Sequence, residues 1–201
     1  MSSPPPRPLR RLLHRRALQV EIYALEPGRW EVEAELSDVK TSDRRMIDGV
    51  RPAGTPIHQL SLRLVVDASL NVLEAGSAST WVPYPGHCEH HDDAYRALVG
   101  LNLGRGFRRA VAERLGGSRA CTHLTELAQV LPSAVIQGLV GEAIDPADRD
   151  DAVEPPFQLD RCHALRRDGE VVKRHYPRWH RQPRAKQDTD NAVEEKPRPS
   201  A

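Results

Sequence analysis

The sequence predicts an α+β fold: an antiparallel β-meander of about four strands with helices packed on one of its faces. Three observations carry that prediction. Apolar and polar residues alternate through four successive stretches before residue 83. After the rigid turn Pro83-Tyr-Pro-Gly-His-Cys88 the apolar period changes to three and four. Strands therefore come first and helices after, without the alternation that builds a doubly wound sheet.

Arg16 to Leu25 puts Leu18, Val20, Ile22 and Ala24 on one face and Gln19, Glu21 and Tyr23 on the other, which is a half-buried strand. Glu26-Pro27-Gly28 is a turn. Trp30, Val32, Ala34 and Leu36 then alternate with Glu31, Glu33 and Glu35 and complete a hairpin. Thr41 to Pro56 is a connection rich in Asp, Gly and Pro, long enough to be functional or mobile. His58, Leu60, Leu62, Leu64 and Val66 repeat at period two, so His58 is in register with the apolar face. A histidine there is either a satisfied core group or a group aimed at a site beneath the sheet. Val72 to Val82, rich in Ala, Ser and Gly, is a weaker fourth strand, and the meander has one apolar and one solvated face.

Asp92 or Asp93 caps a first helix marked by Ala94, Leu98 and Leu101. Phe107, Val111 and Leu115 mark a second, which the pair Gly116-Gly117 closes because glycine accepts φ > 0. Leu124, Leu127, Ala128, Leu131, Val135 and Leu139 define a third, from about Cys121 to Ile144, with Thr122 or Ser118 as its cap. Pro132 bends it or begins a second segment. Asp145 to Pro156 is an acidic loop, and Phe157–Leu165 with Glu170–Tyr176 reads as a short terminal hairpin around Asp168-Gly169. The expected organisation is a flexible basic, Pro-rich arm over 1–14, one α+β domain over 15–180 and a disordered tail over 181–201.

Composition excludes several classes of function. A formal net charge of +1 supplies no global field toward nucleic acid or membrane, so neither is expected as a partner, whereas a protein partner is compatible. No stretch is long and apolar enough to span a bilayer. Three cysteines, an odd number, argue against a disulfide framework and for a reducing, cytoplasmic setting. There is no phosphate-cradling glycine loop and no serine nucleophile elbow.

The residues that can carry chemistry are cysteines with histidine neighbours. His87 precedes Cys88, His123 follows Cys121 by two, and His163 follows Cys162, each at an element boundary. A thiol in a first helical turn sits among unpaired N–H groups, a setting suited to metal binding or nucleophilic attack. If two helix starts converge on one sheet face, Cys88, Cys121 and His123 share a site, completed by Cys162 or His58. Such donors suit zinc or iron, the latter as an ion or an iron–sulfur cluster. The spacing contains no CxxC, and the plain alternative is small buried cysteines beside surface histidines.

Two resemblances follow from quoted strings. Pro83-Tyr-Pro-Gly-His-Cys88, Leu101-Asn-Leu-Gly-Arg-Gly-Phe107, Cys121-Thr-His-Leu-Thr-Glu-Leu127 and Leu159-Asp-Arg-Cys-His163 are similar to a bacterial family, domain of unknown function 2889, which implies no activity. More distantly, the order of elements over about Trp30 to Ile144 resembles the iron–sulfur cluster scaffold fold of NifU-like and SufE-like proteins. That resemblance implies a single site made of cysteines, an aspartate and a histidine, with Cys88 in the place of the second cysteine and Cys121 in that of the third. The first cysteine's place, within Thr41 to Pro56, offers Asp43 and Asp48 instead, with His58 just after.

The function expected from these residues is an accessory, metal-handling one at a Cys/His site. Two rivals stand beside it. In a thiol-dependent enzyme, Cys121 is the nucleophile and His123 or His58 the base. In a non-catalytic interaction module the cysteines only pack, and a glutamate or arginine face binds a protein.

Overall fold

A computed structural model describes residues 9–147 and 152–182. The expected basic arm and C-terminal tail fall largely outside those residues. The chain divides into two compact units, residues 1–145 and 146–201.

The first unit is the predicted α+β meander. β1 (His14–Glu26), β2 (Arg29–Lys40), β5 (Pro56–Asp67) and β6 (Val72–Trp81) form one antiparallel sheet in the order β1-β2-β5-β6. Period-two alternation sets its register. Ile22, Val32 and Leu64 lie in one row across three strands, Val20, Ala34 and Leu62 in the next, and Leu18, Leu36 and Leu60 in the third. Val32, Leu36 and Leu64 are fully buried. The Glu31, Glu33 and Glu35 side of β2 faces solvent, because a one-residue slip would invert every side chain.

The connection Thr41 to Pro56 is not featureless. It folds into a small hairpin of β3 (Arg44–Met46) and β4 (Gly49–Arg51). Arg51 at its end is buried, and its Nη1 donates to the carbonyls of Pro56, Ile57 and Val82 at 3.2, 3.2 and 3.1 Å. Its guanidinium carbon lies 5.3 Å from the centre of the Trp81 ring.

Beyond the sheet, the first expected helix is a 3₁₀ segment, Cys88–Leu98, followed by α1 (Phe107–Leu115) and α2 (Thr122–Leu139). The pair Gly116-Gly117 ends α1 as its sequence suggests. Gly117 has φ +69°, and a Cβ on Gly116 would sit 2.4 Å from the Ala112 carbonyl oxygen. α2 lays Leu124, Leu127, Leu131, Val135 and Leu139 on the apolar face of the sheet, all fully buried. Pro132 lies inside α2 without dividing it, and the N-cap is Cys121 rather than Thr122 or Ser118, with no side-chain capping bond. The N-cap is held from outside instead: the buried Tyr95 hydroxyl donates to the Cys121 carbonyl at 2.7 Å and lies 3.0 Å from the Thr125 hydroxyl.

The second unit corrects the expected terminal hairpin. Glu170–His175 is a short helix, α3, and Phe157–Leu165 is a series of turns. Val171 and Val172 are adjacent β-branched residues that suggest a strand, but only Val172 is buried, on one face of a helical turn that Gly169 precedes.

Two substitutions test the chain reversal that positions α2. Gly116→Ala forces a methyl against a backbone oxygen and Gly117→Ala holds an L-residue at positive φ. Each lowers stability by about 1–2 kcal/mol, seen as a lower urea midpoint with an unchanged m-value.

Candidate metal centre

The three apolar rows of the sheet end in a fourth row that is polar. By register, Arg16 of β1, Asp38 of β2 and His58 of β5 lie side by side, one row past Leu18, Leu36 and Leu60. They share the inner face because strand side chains repeat every two residues. The start of α2 covers this row and contributes His123, with Glu126 one turn on.

Asp38 is the hub. Its side chain is 4% exposed, and four nitrogens lie within 3.0 Å of its two oxygens. On Oδ1 are Arg16 Nε at 2.9 Å and His14 Nε2 at 3.0 Å. On Oδ2 are Arg16 Nη2 at 2.7 Å and His58 Nδ1 at 3.0 Å. A carboxylate offers about four lone-pair sites, and three of them are met by hydrogen bonds from Arg16 and His58, with His14 Nε2 a fourth close neighbour. Arg16 reaches outward as well, Nη1 donating to Glu126 Oε2 at 2.6 Å.

His58 and His123 stack, their ring centres 4.0 Å apart at a 36° tilt. His123 Nε2 is 4.0 Å from Asp38 Oδ2, and its Nδ1 is 4.0 Å from the Cys121 Sγ. One donor atom each from Asp38, His58 and His123 fits within 4.8 Å of the others, the only such group of three among the described residues.

Electrostatics set the protonation of this group. Burial works to raise the Asp38 carboxyl, but the hydrogen bonds from Arg16 and His58 outweigh it and hold the group down at about 2. Burial lowers His58, against the pull of Asp38. Burial, then the neighbouring His58 and Arg16, lowers His123. At neutral pH the site therefore contains an ionised carboxylate and two neutral imidazoles. Since Asp38 is ionised, His58 Nδ1 carries the proton and donates, and its Nε2 keeps a lone pair.

The predicted site residues separate under this geometry. His58 and His123 come together, with Cys121 beside His123. Cys88 begins the 3₁₀ segment, its backbone N–H donating to the Tyr84 carbonyl at 3.1 Å, and packs half-buried at the edge of the core. It joins no group of three among the described residues. Cys162 is exposed in the second unit. Asp38, Arg16 and His14 are the residues that sequence reasoning missed. Their signal was the stripe itself, since Trp30, Val32, Ala34, Leu36, Asp38 and Leu18, Arg16, His14 each continue one alternation past its last apolar member.

Acid stability follows from these shifts. The lowered imidazoles contribute stability above about 6.5, their unfolded value, and lose it as pH falls through their lower folded values. The Asp38 contribution, about 2 kcal/mol, is complete above about 4 and disappears as pH falls toward 2. Urea midpoints measured against pH decline in these two stages, and Asp38→Asn abolishes the lower one. Identical acid profiles for the two proteins count against Asp38 as the hub.

Comparison with known proteins agrees with this span of structure. The family described as Protein of unknown function (DUF2889) matches residues 14–137. No curated protein and no solved structure matches the chain, so the likeness to the iron–sulfur scaffold fold has no counterpart there. The matched residues begin at His14, run through all four strands of the sheet and end inside α2, taking in Asp38, His58, Cys121 and His123. The chain belongs to the DUF2889 family.

Proposed function

We propose that the protein handles a divalent transition metal, taken up at His58, His123 and Asp38 with Cys121 as a neighbouring soft donor. The observation that carries this reading is the approach of three donor atoms to within 4.8 Å, from β2, β5 and α2. Their protonation supports it. Metal competes with protons for its ligands, and here the imidazoles are neutral and the carboxylate ionised at pH 7. Imidazole with carboxylate and a thiol nearby suits Zn²⁺ or Fe²⁺. With one cysteine beside the histidines, the reading is a mononuclear ion rather than an iron–sulfur cluster.

The same geometry favours exchange over permanent retention. A structural zinc site is closed by four protein ligands, whereas here there are three donors and a flanking thiol. The Arg16 guanidinium is also forked onto Asp38 and repels an incoming cation. Glu126 gives Arg16 a second anionic partner as an ion engages Oδ2. Such a centre accepts a metal and gives it up, which is an accessory role toward a partner protein.

Isothermal titration with Zn²⁺, and Co²⁺ as a spectroscopic stand-in, gives one equivalent bound. His58→Ala and His123→Ala each weaken binding about tenfold or more, at least 1.4 kcal/mol. Cys121→Ser keeps the stoichiometry, as expected for a thiol that flanks the ion. Absence of stoichiometric binding, or binding indifferent to both histidines, overturns the reading.

A second reading, a thiol-dependent enzyme, has one observation in its favour: Cys121 Sγ lies 4.0 Å from His123 Nδ1, whose other nitrogen faces Asp38. That order of thiol, imidazole and carboxylate is the arrangement of an activated nucleophile. On this reading Cys121 is alkylated far faster than the exposed Cys162 in protein that binds no metal. On the metal reading, Zn²⁺ protects Cys121 from alkylation.

A further inference from the structure

The two edges of the main sheet differ. At the β6 edge, Val72 N–H donates to the Leu101 carbonyl at 2.8 Å and Gly100 N–H donates to the Val72 carbonyl at 2.9 Å, so another segment covers the start of the strand. Two register shifts against β5 break β6 further. β1 has neither protection. It pairs on one side alone, with β2, and without a shift from His14 to Ala24. Thr41 extends that pairing, donating from Oγ1 to the Leu12 carbonyl at 2.6 Å and from its N–H to the Leu13 carbonyl at 3.4 Å. The other side of β1 has no strand partner among the described residues, and folds usually cover, break or pair such an edge.

Exposed apolar side chains gather on the same strand: Leu12, Leu13, Leu18, Tyr23 and Leu25. Leu18 ends an inner row whose other members, Leu36 and Leu60, are buried, yet Leu18 is 40% exposed. The row stops there for want of a neighbour. Charge on the outer face is unbalanced at the same edge. Glu21 lies opposite Glu33 of β2, a like charge, and accepts hydrogen bonds only from Gln19 and Tyr23 of its own strand among the described residues. Arg15 is exposed and has no ion-pair partner among the described residues.

We infer that β1 pairs antiparallel with β1 of a second copy of this chain, about a two-fold axis at Leu18, joining two four-stranded sheets into one. A two-fold interface must be self-complementary, and β1 is so in this register. A two-fold axis normal to the sheet keeps inner side chains against inner and outer against outer. Leu18 then meets Leu18, and the row Leu60-Leu36-Leu18 runs on into the second copy. On the outer face Arg15 meets Glu21 and Leu13 meets Tyr23, each pair occurring twice. Moving the axis to Ala17 or Gln19 sets Arg15 against Gln19 or Tyr23 and leaves Glu21 without a cation. Backbone pairing supplies affinity at such an edge, and the alternating side chains supply the choice of partner. The inference goes beyond the metal reading, since Arg15 and Glu21 lie on the opposite face of β1 from Arg16.

Sedimentation of the full chain over a concentration series tests it. The wild type has twice the 22.5 kDa of one chain and dissociates on dilution. Arg15→Glu sets acid against acid across the axis, and Glu21→Arg sets base against base. Each raises the dimer dissociation constant about tenfold, because the altered pair occurs twice. The double substitution Arg15→Glu, Glu21→Arg restores wild-type affinity, which separates loss of pairing from loss of fold. A monomeric wild type overturns the inference and leaves the edge to a strand of another protein. A dimer that neither single substitution weakens, or that the double substitution fails to restore, overturns it as well, because the copies then meet elsewhere or in another register.

Discussion

A buried carboxylate governs the first unit. Asp38 continues a stripe of apolar side chains, and an ionised group there is costly unless its lone pairs are met. Three hydrogen bonds from Arg16 and His58 meet most of that demand and, in doing so, tie β1 to β2 and β2 to β5, with His14 Nε2 close by on β1. Arg16 carries the connection to α2 through Glu126. One charge thus orients side chains from three strands and a helix, and the apolar rows behind it hold the register in which they meet.

The crowding around Asp38 also bears on chemistry. A carboxylate held by three hydrogen bonds, with a fourth nitrogen 3.0 Å away, is first an orienting group. It fixes the tautomer of His58, as carboxylates behind metal-bound imidazoles commonly do, and on the proposed metal reading it would become a ligand only by releasing a donor. Arg16, with its alternative partner, is the donor best placed to yield. On the proposed metal reading, tuning of affinity would lie with a residue that does not itself touch the metal.

Much of the architecture was legible because a period of two cannot be mistaken over ten residues. The stripes of β1, β2 and β5 give strands, faces and the inward direction of His58. The glycine pair gives the end of α1 and the start of α2, and hence the place of Cys121 and His123. What was not legible is long-range. Cys88 has a histidine beside it in the chain, but a sequence neighbour at the start of a 3₁₀ segment does not place the thiol with the rest. Asp38 was hidden by its own polarity: apolar alternation stops at Leu36, and a charged residue in the next inward position reads as the end of a strand. Of its partners, His14 falls in the basic stretch that composition assigns to an arm, and Arg16 opens the first strand with a charge where an apolar residue would mark the inward face. In the second unit, Val171 and Val172 favoured a strand where local packing selects a helical turn.

The Arg51 anchor gives the excursion between β2 and β5 a meaning its exposed tip hides. A single guanidinium gathers carbonyls from the entry of one central strand, just before His58, and from the exit of its neighbour. The hairpin that delivers it works as a doorpost. Shortening that excursion would leave three acceptors facing inward without a donor and let the mouth of the strand pair splay. A lysine in the same place, a point charge on a flexible stem, has neither the planar fork nor the flat face that rests on Trp81. Tolerance of this loop to deletion is accordingly set by what its base holds together and not by how freely Ile47 projects into water.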